Sequence, residues 1–154
     1  MPSTDGRTRI LFLCTGNSCR SQMAEGWARH LHAESIDACS AGTSPHGLNP
    51  LAVRAMRETG ADISAHTSKT IDACGPDTLD LVITVCAHAH ETCPVFPGNA
   101  RVLHRGFDDP PKLAAEAASD DEAMPHYRRV RDEIRAFIET LPGVLREHGI
   151  ASDA

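Results

Sequence analysis

The stretch RILFLCTGNSCRS, residues 9–21, decides the predicted fold. Residues 9–14 form a short apolar run that meets a polar, glycine-containing turn, which is typical of a buried parallel strand. A helix is predicted from about Ser18, because apolar side chains then recur at four-residue spacing, at Met23, Trp27 and Leu31. The stretch therefore predicts a strand, a tight loop and a helix in immediate succession.

The remainder of the sequence repeats this alternation. Further strands are predicted over residues 36–40, 79–85 and 101–104, and further helices over residues 50–59 and from near Pro125 to Leu141. Residues 106–123, which are rich in Pro, Asp and Ala, are predicted to form a long loop. The alternation indicates a single α/β domain over residues 1–154, with a four-stranded parallel sheet covered by helices on both faces.

Composition excludes several classes of protein. The 154 residues are enough for one domain with a core, and the net charge of −6 gives no general attraction to nucleic acid or anionic lipid. No apolar stretch approaches the roughly 18 residues of a membrane span, and no signal-peptide pattern is present. We therefore expect a cytoplasmic protein with no membrane or nucleic-acid partner. Its six cysteines are expected to be reduced, and catalytic or metal-binding, instead of forming structural disulfides.

The loop between the first strand and the first helix has the composition of an anion cradle. Gly16 is expected to adopt positive φ, which lets the backbone amides converge, and the following helix adds its positive end. Arg20 is suited to hold two oxygens of a tetrahedral oxyanion, and Cys14 lies in the positive field that makes a thiol nucleophilic. Ser21 is expected to donate a hydrogen bond to the thiolate. The predicted anion-binding residues are Thr15, Gly16, Asn17, Ser18, Cys19 and Arg20.

An isolated Cys and Arg at this spacing would more often be a buried strand-end cysteine followed by an ordinary turn. The strand, the glycine, the serine and the helix all fall in register here, and this agreement favours the cradle.

A candidate proton donor follows the last predicted strand, in Asp108-Asp109-Pro110. Oxyanion chemistry at a thiolate needs a proton for the departing oxygen, and a carboxyl on a lid over the site is able to supply it. The alternative is a solvated acidic turn, because Asp-Pro pairs are common in loops. The position after a strand, where ligands of parallel sheets bind, favours the functional interpretation.

A second pair of cysteines, Cys86 and Cys93, follows the clearest predicted strand. One interpretation is a redox pair. If the intervening segment is helical, the Cα atoms lie roughly 10 Å apart, beyond the ~7 Å limit of an unstrained disulfide, so the bond requires unwinding. A second interpretation is a metal site in which His88 and His90 complete an S₂N₂ ligand set. The third is that the two histidines are simply exposed polar residues.

The other cysteines and histidines show no spacing that indicates a function. Cys19 is expected at the loop or helix start, and Cys39 and Cys74 are expected to be small hydrophobic residues or surface thiols. The histidines expected to be ordinary exposed positions are His46, His66, His104, His126 and His148.

Residues 14–27, CTGNSCRSQMAEGW, strongly resemble the opening of thioredoxin-coupled arsenate reductases. These enzymes share the flavodoxin-like three-layer sandwich of low-molecular-weight protein tyrosine phosphatases. The loop motif alone is shared with the phosphatases, whereas the loop together with Cys86 and Cys93 is specific to the reductases. The resemblance covers roughly residues 9–140 and continues through residues 40–42, 46–50, 66–68, 85–86, 93–94, 106–110 and 129–133.

The resemblance implies a catalytic cycle. The Cys14 thiolate attacks arsenate held by the loop and Arg20, while Asp109, the aspartate directly before proline, protonates the leaving hydroxyl. Cys86 then attacks Cys14 and releases arsenite, and Cys93 attacks Cys86 to free Cys14. Thioredoxin reduces the final disulfide from outside, and no bound cofactor or metal is needed.

The same resemblance implies a monomeric enzyme of arsenic detoxification that takes arsenate, with phosphate or sulfate as analogues. The alternative enzyme is a low-molecular-weight tyrosine phosphatase. Pro111 counts against it, because the phosphatases carry an aromatic residue after the Asp-Pro of the lid. The alternative of another class is a metal-binding or sensing module built on the cysteines and histidines of residues 86–93.

Two departures from the family pattern bear on the site. Some relatives bind a monovalent cation through residues matching Asn17, Glu25 and Ser40, together with an acidic residue where this chain has Lys69. We predict that the Lys69 ammonium takes the place of the cation and pairs with Glu25. The segment 112–123 is also longer and more Ala-rich than the family pattern, so the resemblance does not define the conformation of the lid.

Overall fold

A computed structural model of the chain describes residues 6–91, 93 and 100–150, apart from the side chains of residues 88 and 90. Four parallel strands form one sheet in the order β2-β1-β3-β4. The strands are β1 (Thr8–Cys14), β2 (Ile36–Gly42), β3 (Leu81–Thr84) and β4 (Arg101–His104). The helices are α1 (Arg20–Leu31), α2 (Pro50–Arg57), α3 (Ala87–Glu91), α4 (Pro110–Leu113), α5 (Asp120–Glu139) and α6 (Leu141–Glu147), and 3₁₀ turns span Ile71–Cys74 and Pro76–Thr78. The predicted fold class is confirmed.

The strand order places β1 and β3 in the middle of the sheet, where both of its faces are covered. Residues 10–13 of β1 and 81–83 of β3 are fully buried, as strands covered on both faces must be. β4 is an edge strand, and Val102 on it is 41% exposed. The carboxyl ends of β1 and β3 therefore meet at one edge of the sheet, where Cys14 and Cys86 follow them.

Helices α1, α2 and α5 pack against one another beside the sheet. Gly26 permits the close approach of α1 to the segment after α2, because a Cβ there would lie 2.5 Å from Ile63 Cγ2. Trp27 is fully buried, and its indole N–H donates to the carbonyl of Arg131 on α5 at 3.1 Å. None of the described helices is long and apolar enough to cross a membrane.

Helix α5 begins at Asp120, so the predicted start near Pro125 was wrong. The Ser119 hydroxyl accepts the amide of Glu122, and the Glu122 carboxylate accepts the amide of Ala118, one residue before the cap, in a variant of the capping box. This signal is present in the sequence and places the helix start ahead of the proline. The predicted 106–123 loop therefore contains α4 and the first turn of α5.

Cys39 and Cys74 are joined by a disulfide, with their Cα atoms 6.0 Å apart. The expectation that both are unpartnered was wrong, as was the expectation that the six cysteines are reduced. The two residues are 35 positions apart, and they meet because the 3₁₀ turn Ile71–Cys74 packs on β2. Local spacing carries no signal for such a contact. The other four cysteines are thiols.

Candidate active site

The carboxyl edge of the sheet carries a cavity of about 530 Å³. It brings together the predicted nucleophile, the predicted anion-binding loop and the predicted proton donor. Cys86 lies against this site, since its sulfur is 3.3 Å from Thr15 Oγ1. The cavity is lined by Cys14, Thr15, Gly16, Ser18, Cys19, Arg20, His46, Asp109 and Pro111.

The loop turns through Asn17, which adopts a left-handed conformation with φ of 46°. The expected positive φ at Gly16 was wrong, because the positive-φ glycines lie elsewhere in the chain. Asparagine tolerates this conformation when its short side chain bonds locally. Its amide oxygen accepts from the Lys69 amide at 2.9 Å and from Gln22 at 3.1 Å, and its Nδ2 donates to Ser21.

Gly16 has a different role from the one expected. A Cβ on Gly16 would lie 2.9 Å from Nδ1 of His46, so the glycine makes room for that ring over the loop. The His46 amide donates to the Gly16 carbonyl at 2.8 Å and so fixes the approach.

Ser21 is fully buried and supports the loop from beneath. Its hydroxyl accepts the hydrogen bond of Asn17 Nδ2 at 2.9 Å. The predicted donation from Ser21 to the Cys14 thiolate stays a prediction.

Gly42, at the end of β2, lies directly under the loop. A Cβ there would be 2.6 Å from the Thr15 carbonyl oxygen and 2.9 Å from the Asn17 amide nitrogen, both backbone atoms. We expect Gly42→Ala to destabilise the fold by about 1–3 kcal/mol and to weaken binding of an oxyanion at the loop, because the backbone must shift. Urea unfolding and calorimetric titration measure the two effects. Gly143→Ala is the matched control, since its Cβ would meet nothing nearer than 3.9 Å. Equal stability of the two variants would contradict the prediction.

Arg20 joins the loop to the lid. Its guanidinium donates to the Phe107 carbonyl at 3.1 Å and lies 3.7 Å from the Asp109 carboxylate. Its Nε is buried and has no hydrogen-bond partner among the described residues. A buried donor of this kind is suited to an anionic ligand.

The two lid aspartates point in different directions. Asp109 faces Arg20 and the cavity, whereas Asp108 forms an ion pair with Arg129 of α5 at 3.0 Å. The geometry therefore supports the choice of Asp109 as the candidate proton donor.

Cys14 and Cys86 act on each other electrostatically. The hydrogen bond with Cys86, together with burial, raises the pKa of Cys14, while Arg20 opposes the rise. The same hydrogen bond lowers the pKa of Cys86, helped by the Thr15 hydroxyl and by the Ala89 amide at 3.4 Å from the sulfur. The interaction between the two sulfurs therefore favours the proton on Cys14 and the thiolate on Cys86 before an oxyanion binds.

Cys93 is a partly buried thiol, and burial raises its pKa. The segment after Cys86 begins as helix α3, as the redox interpretation assumed. The side chains of His88 and His90 lie outside the described residues, so the metal-site interpretation is not tested. Over the described part of the chain, no three His, Cys, Asp or Glu side chains form a group able to hold a metal.

A buried carboxylate stands behind the loop, at Glu25, which is 3% exposed. It accepts from Ser40 at 2.6 Å and from Arg29 at 2.7 Å. The Lys69 ammonium lies 3.6 Å from it, so the predicted Lys69–Glu25 pair is present. Sequence reasoning found this pair but missed His66, whose ring is 3.6 Å from the same carboxylate.

Because Lys69 already neutralises this position, the activity of the site should not respond when potassium replaces sodium at constant ionic strength. Lys69→Ala should lower the free energy of unfolding by about 1–3 kcal/mol, since it leaves a buried carboxylate short of a partner. Lys69→Asp should be less stable in sodium and recover in potassium. Lys112→Ala, at an exposed lysine, is the control. Stimulation of the unaltered protein by potassium would contradict the prediction.

His66 makes stability sensitive to acid. Burial lowers its pKa, and the Glu25 carboxylate only partly offsets this. The unfolded chain therefore binds the proton at higher pH than the folded chain, so stability is complete above about pH 6.5 and falls below it. His66→Gln should lose less unfolding free energy between about pH 7.5 and 5.5 than the unaltered protein. His126→Gln, at a partly exposed position on α5, should behave like the unaltered protein. Identical losses in both variants would disprove the assignment.

Sequence reasoning also missed His46 and Gln22 as parts of the site. Gln22 donates to the Thr67 carbonyl at 2.9 Å, and its amide oxygen accepts from His66 Nδ1 at 3.1 Å. Spacing along the chain does not identify either residue as part of the site. Both become visible only through their contacts in the folded structure.

A cysteine and an arginine on one loop at the end of a parallel strand, lining one cavity with an aspartate, define a phosphatase-type oxyanion site. A family model described as low molecular weight phosphotyrosine protein phosphatase matches residues 9–151, and the chain belongs to this family. Among its relatives are arsenate reductases. That of Halalkalibacterium halodurans is 53% identical over 131 residues, covering 85% of this chain and 92% of the relative.

Solved structures agree with the sequence relatives. An arsenate reductase in the phosphate-binding state matches with a TM-score of 0.67 and 32% identity, over 87% of this chain and 95% of the other. A low molecular weight protein tyrosine phosphatase from T. tengcongensis matches with a TM-score of 0.68 and 25% identity, over 90% of this chain and 99% of the other. The resemblance to arsenate reductases that the sequence predicted is thus confirmed.

Proposed function

We propose that this protein reduces arsenate to arsenite with Cys14 as nucleophile, and that Cys86 and Cys93 carry the oxidation away. The observation that carries the proposal is the second thiol, Cys86, whose sulfur lies 3.3 Å from the hydroxyl of Thr15, the residue after Cys14. Hydrolysis of a phosphate ester needs one sulfur, whereas reduction needs a second sulfur to accept the oxidation. The 53% identity to an arsenate reductase supports the same reaction.

In the first step the loop amides and Arg20 hold the oxyanion, and the proton of Cys14 passes to the Cys86 thiolate, which makes Cys14 the nucleophile. The Cys14 thiolate forms a bond to arsenic, and one arsenic–oxygen bond breaks. Asp109, close to Arg20 and the cavity, protonates the departing oxygen, which leaves as water. Arsenic remains in its +5 state in this intermediate.

In the second step Cys86 loses its proton and attacks the sulfur of Cys14. The bond between Cys14 and arsenic breaks, and its electron pair stays on arsenic, which leaves as arsenite in the +3 state. The Thr15 hydroxyl and the Ala89 amide, at 3.3 Å and 3.4 Å from the Cys86 sulfur, stabilise the attacking thiolate.

In the third step the Cys93 thiolate attacks Cys86 and frees Cys14. We infer that thioredoxin then reduces the Cys86–Cys93 disulfide, and that the protein works in the cytoplasm as a monomer without a bound cofactor or metal. Helix α3 follows Cys86 directly, so formation of this disulfide requires the segment to rearrange.

The test is arsenate-dependent NADPH oxidation with thioredoxin and thioredoxin reductase. We expect turnover that requires all three proteins and arsenate. The second candidate is a tyrosine phosphatase, which the family and the T. tengcongensis structure favour. Robust hydrolysis of an aryl phosphate with no arsenate-dependent NADPH oxidation would overturn the reductase proposal. Weak hydrolysis beside reduction is compatible with it, because the same cradle accepts phosphate.

A further inference from the structure

We propose that Cys39 and Cys74 form a second redox site, separate from the catalytic thiols. Their disulfide holds in place the segment that contacts the active-site loop from behind. The site is not needed for any step of arsenate reduction. Its influence on anion binding rests on the proposed function, whereas its redox behaviour does not.

The disulfide joins the edge strand β2 to the segment that crosses behind the loop, residues 66–74, which we name the strap. Cys39 is half-buried on β2, and Cys74 ends the strap and is 2% exposed. The Cys74 sulfur lies 3.4 Å from the Ser40 carbonyl oxygen. A reduced Cys74 thiol could donate to that oxygen, so reduction strands no buried polar group.

The strap holds the active-site loop through its backbone and its serine. Lys69 donates its amide to Asn17 Oδ1 at 2.9 Å, and Ser68 donates its hydroxyl to the Gly16 carbonyl at 3.1 Å. The Lys69 carbonyl accepts the Gly42 amide at 2.8 Å, which ties the same point to the end of β2. The left-handed Asn17 conformation therefore depends on where the strap lies.

Arg9 provides a second, non-covalent anchor at the far end of the strap. Its guanidinium donates to the Cys74 carbonyl at 3.3 Å and to the Thr78 hydroxyl, and it pairs with Asp37. Breaking the disulfide therefore leaves the strap attached but looser. The expected consequence is a graded loss of loop order, not unfolding.

The two thiols are too far from the catalytic sulfurs to take part in the relay. Cys39 pairs with Leu11 in the sheet, three residues before the register of Gly42 with Cys14, or about 10 Å along the strand. Ser40 points towards Glu25 of α1, so the neighbouring Cys39 side chain points to the opposite face of the sheet.

Oxidation proceeds by exchange with an external disulfide, such as oxidised glutathione. The half-buried Cys39 thiolate attacks one sulfur, forms a mixed disulfide and releases one thiol. The buried Cys74 then attacks Cys39 as a thiolate and releases the second thiol, so two protein thiols are oxidised and one external disulfide is reduced. A dithiol reductant reverses the sequence.

The experiment uses a chain with the relay removed, Cys14→Ser/Cys86→Ser/Cys93→Ser, which keeps Cys39 and Cys74. Peptide mapping after alkylation should show a Cys39–Cys74 linkage in oxidised glutathione and its loss in reduced glutathione. Reduction should speed amide exchange of residues 66–74 and 14–20 about tenfold and weaken arsenate binding about fivefold by calorimetry. A second chain that also carries Cys39→Ala/Cys74→Ala should behave as the reduced form in both buffers.

Absence of the linkage in oxidised glutathione, or equal exchange of the strap in both redox states, would overturn the proposal. Equal arsenate affinity in the two states would overturn the coupling to the site. Altered strap exchange in a chain that binds arsenate in neither state would uphold the redox site and count against the proposed function instead.

Discussion

Cys14→Ser is expected to abolish arsenate reduction, with a loss of about 10⁴-fold or more in turnover. A serine hydroxyl is barely ionised at neutral pH, and an oxygen at this position is unable to form the disulfide through which arsenic receives its electrons. Quantification of arsenite in the coupled thioredoxin assay measures the effect. The variant should keep its melting temperature and bind inorganic phosphate, since the loop amides and Arg20 remain. A burst of arsenite from it would contradict the assignment of the nucleophile.

Cys93→Ser is expected to release about one arsenite per molecule and then stop. The first two steps need only Cys14 and Cys86, so the variant should accumulate as a Cys14–Cys86 disulfide. Rapid-quench measurement of arsenite gives the stoichiometry, and alkylation with peptide mapping identifies the disulfide. Cys86→Ser is the matched comparison, and it should release no arsenite. Many turnovers of Cys93→Ser with thioredoxin would rule out the three-cysteine cycle.

These two predictions follow from features that the sequence already carried. The alternation of elements predicted the parallel sheet, because strand and helix periodicities are local properties of the chain. Parallel strands align their carboxyl ends, so Cys14, Cys86 and Asp109 could be assigned to one edge before their distances were known. The Lys69–Glu25 pair was predicted from the family pattern and lies at 3.6 Å.

What the sequence did not provide depends on contacts between distant residues. The Cys39–Cys74 disulfide joins residues 35 positions apart, and the ring of His46 over Gly16 depends on where the chain returns after β2. Asn17 takes the left-handed position because Lys69 and Gln22 satisfy its side chain. A glycine is the usual expectation there when these partners are unknown.

The error at the start of α5 has a different cause. The signal, Ser119 and Glu122 three residues apart, was present in the sequence, but the proline at position 125 dominated the prediction. Proline favours the first turn of a helix, and here it is the sixth residue of α5. The preference of proline for the first turn thus placed the start of α5 too late, although the spacing of Ser119 and Glu122 marks the correct start.

The Cys39–Cys74 bridge also changes the unfolded chain. It closes a ring over a sequence separation of 35, which contains α2 and the whole strap. A ring of this size removes enough freedom from the denatured ensemble to stabilise the folded state by about 4 kcal/mol in the chain-entropy model. The oxidised and reduced forms are then two proteins of unequal thermal resistance with the same sequence. A melting temperature measured without a defined redox buffer would therefore be that of an unknown mixture of the two forms.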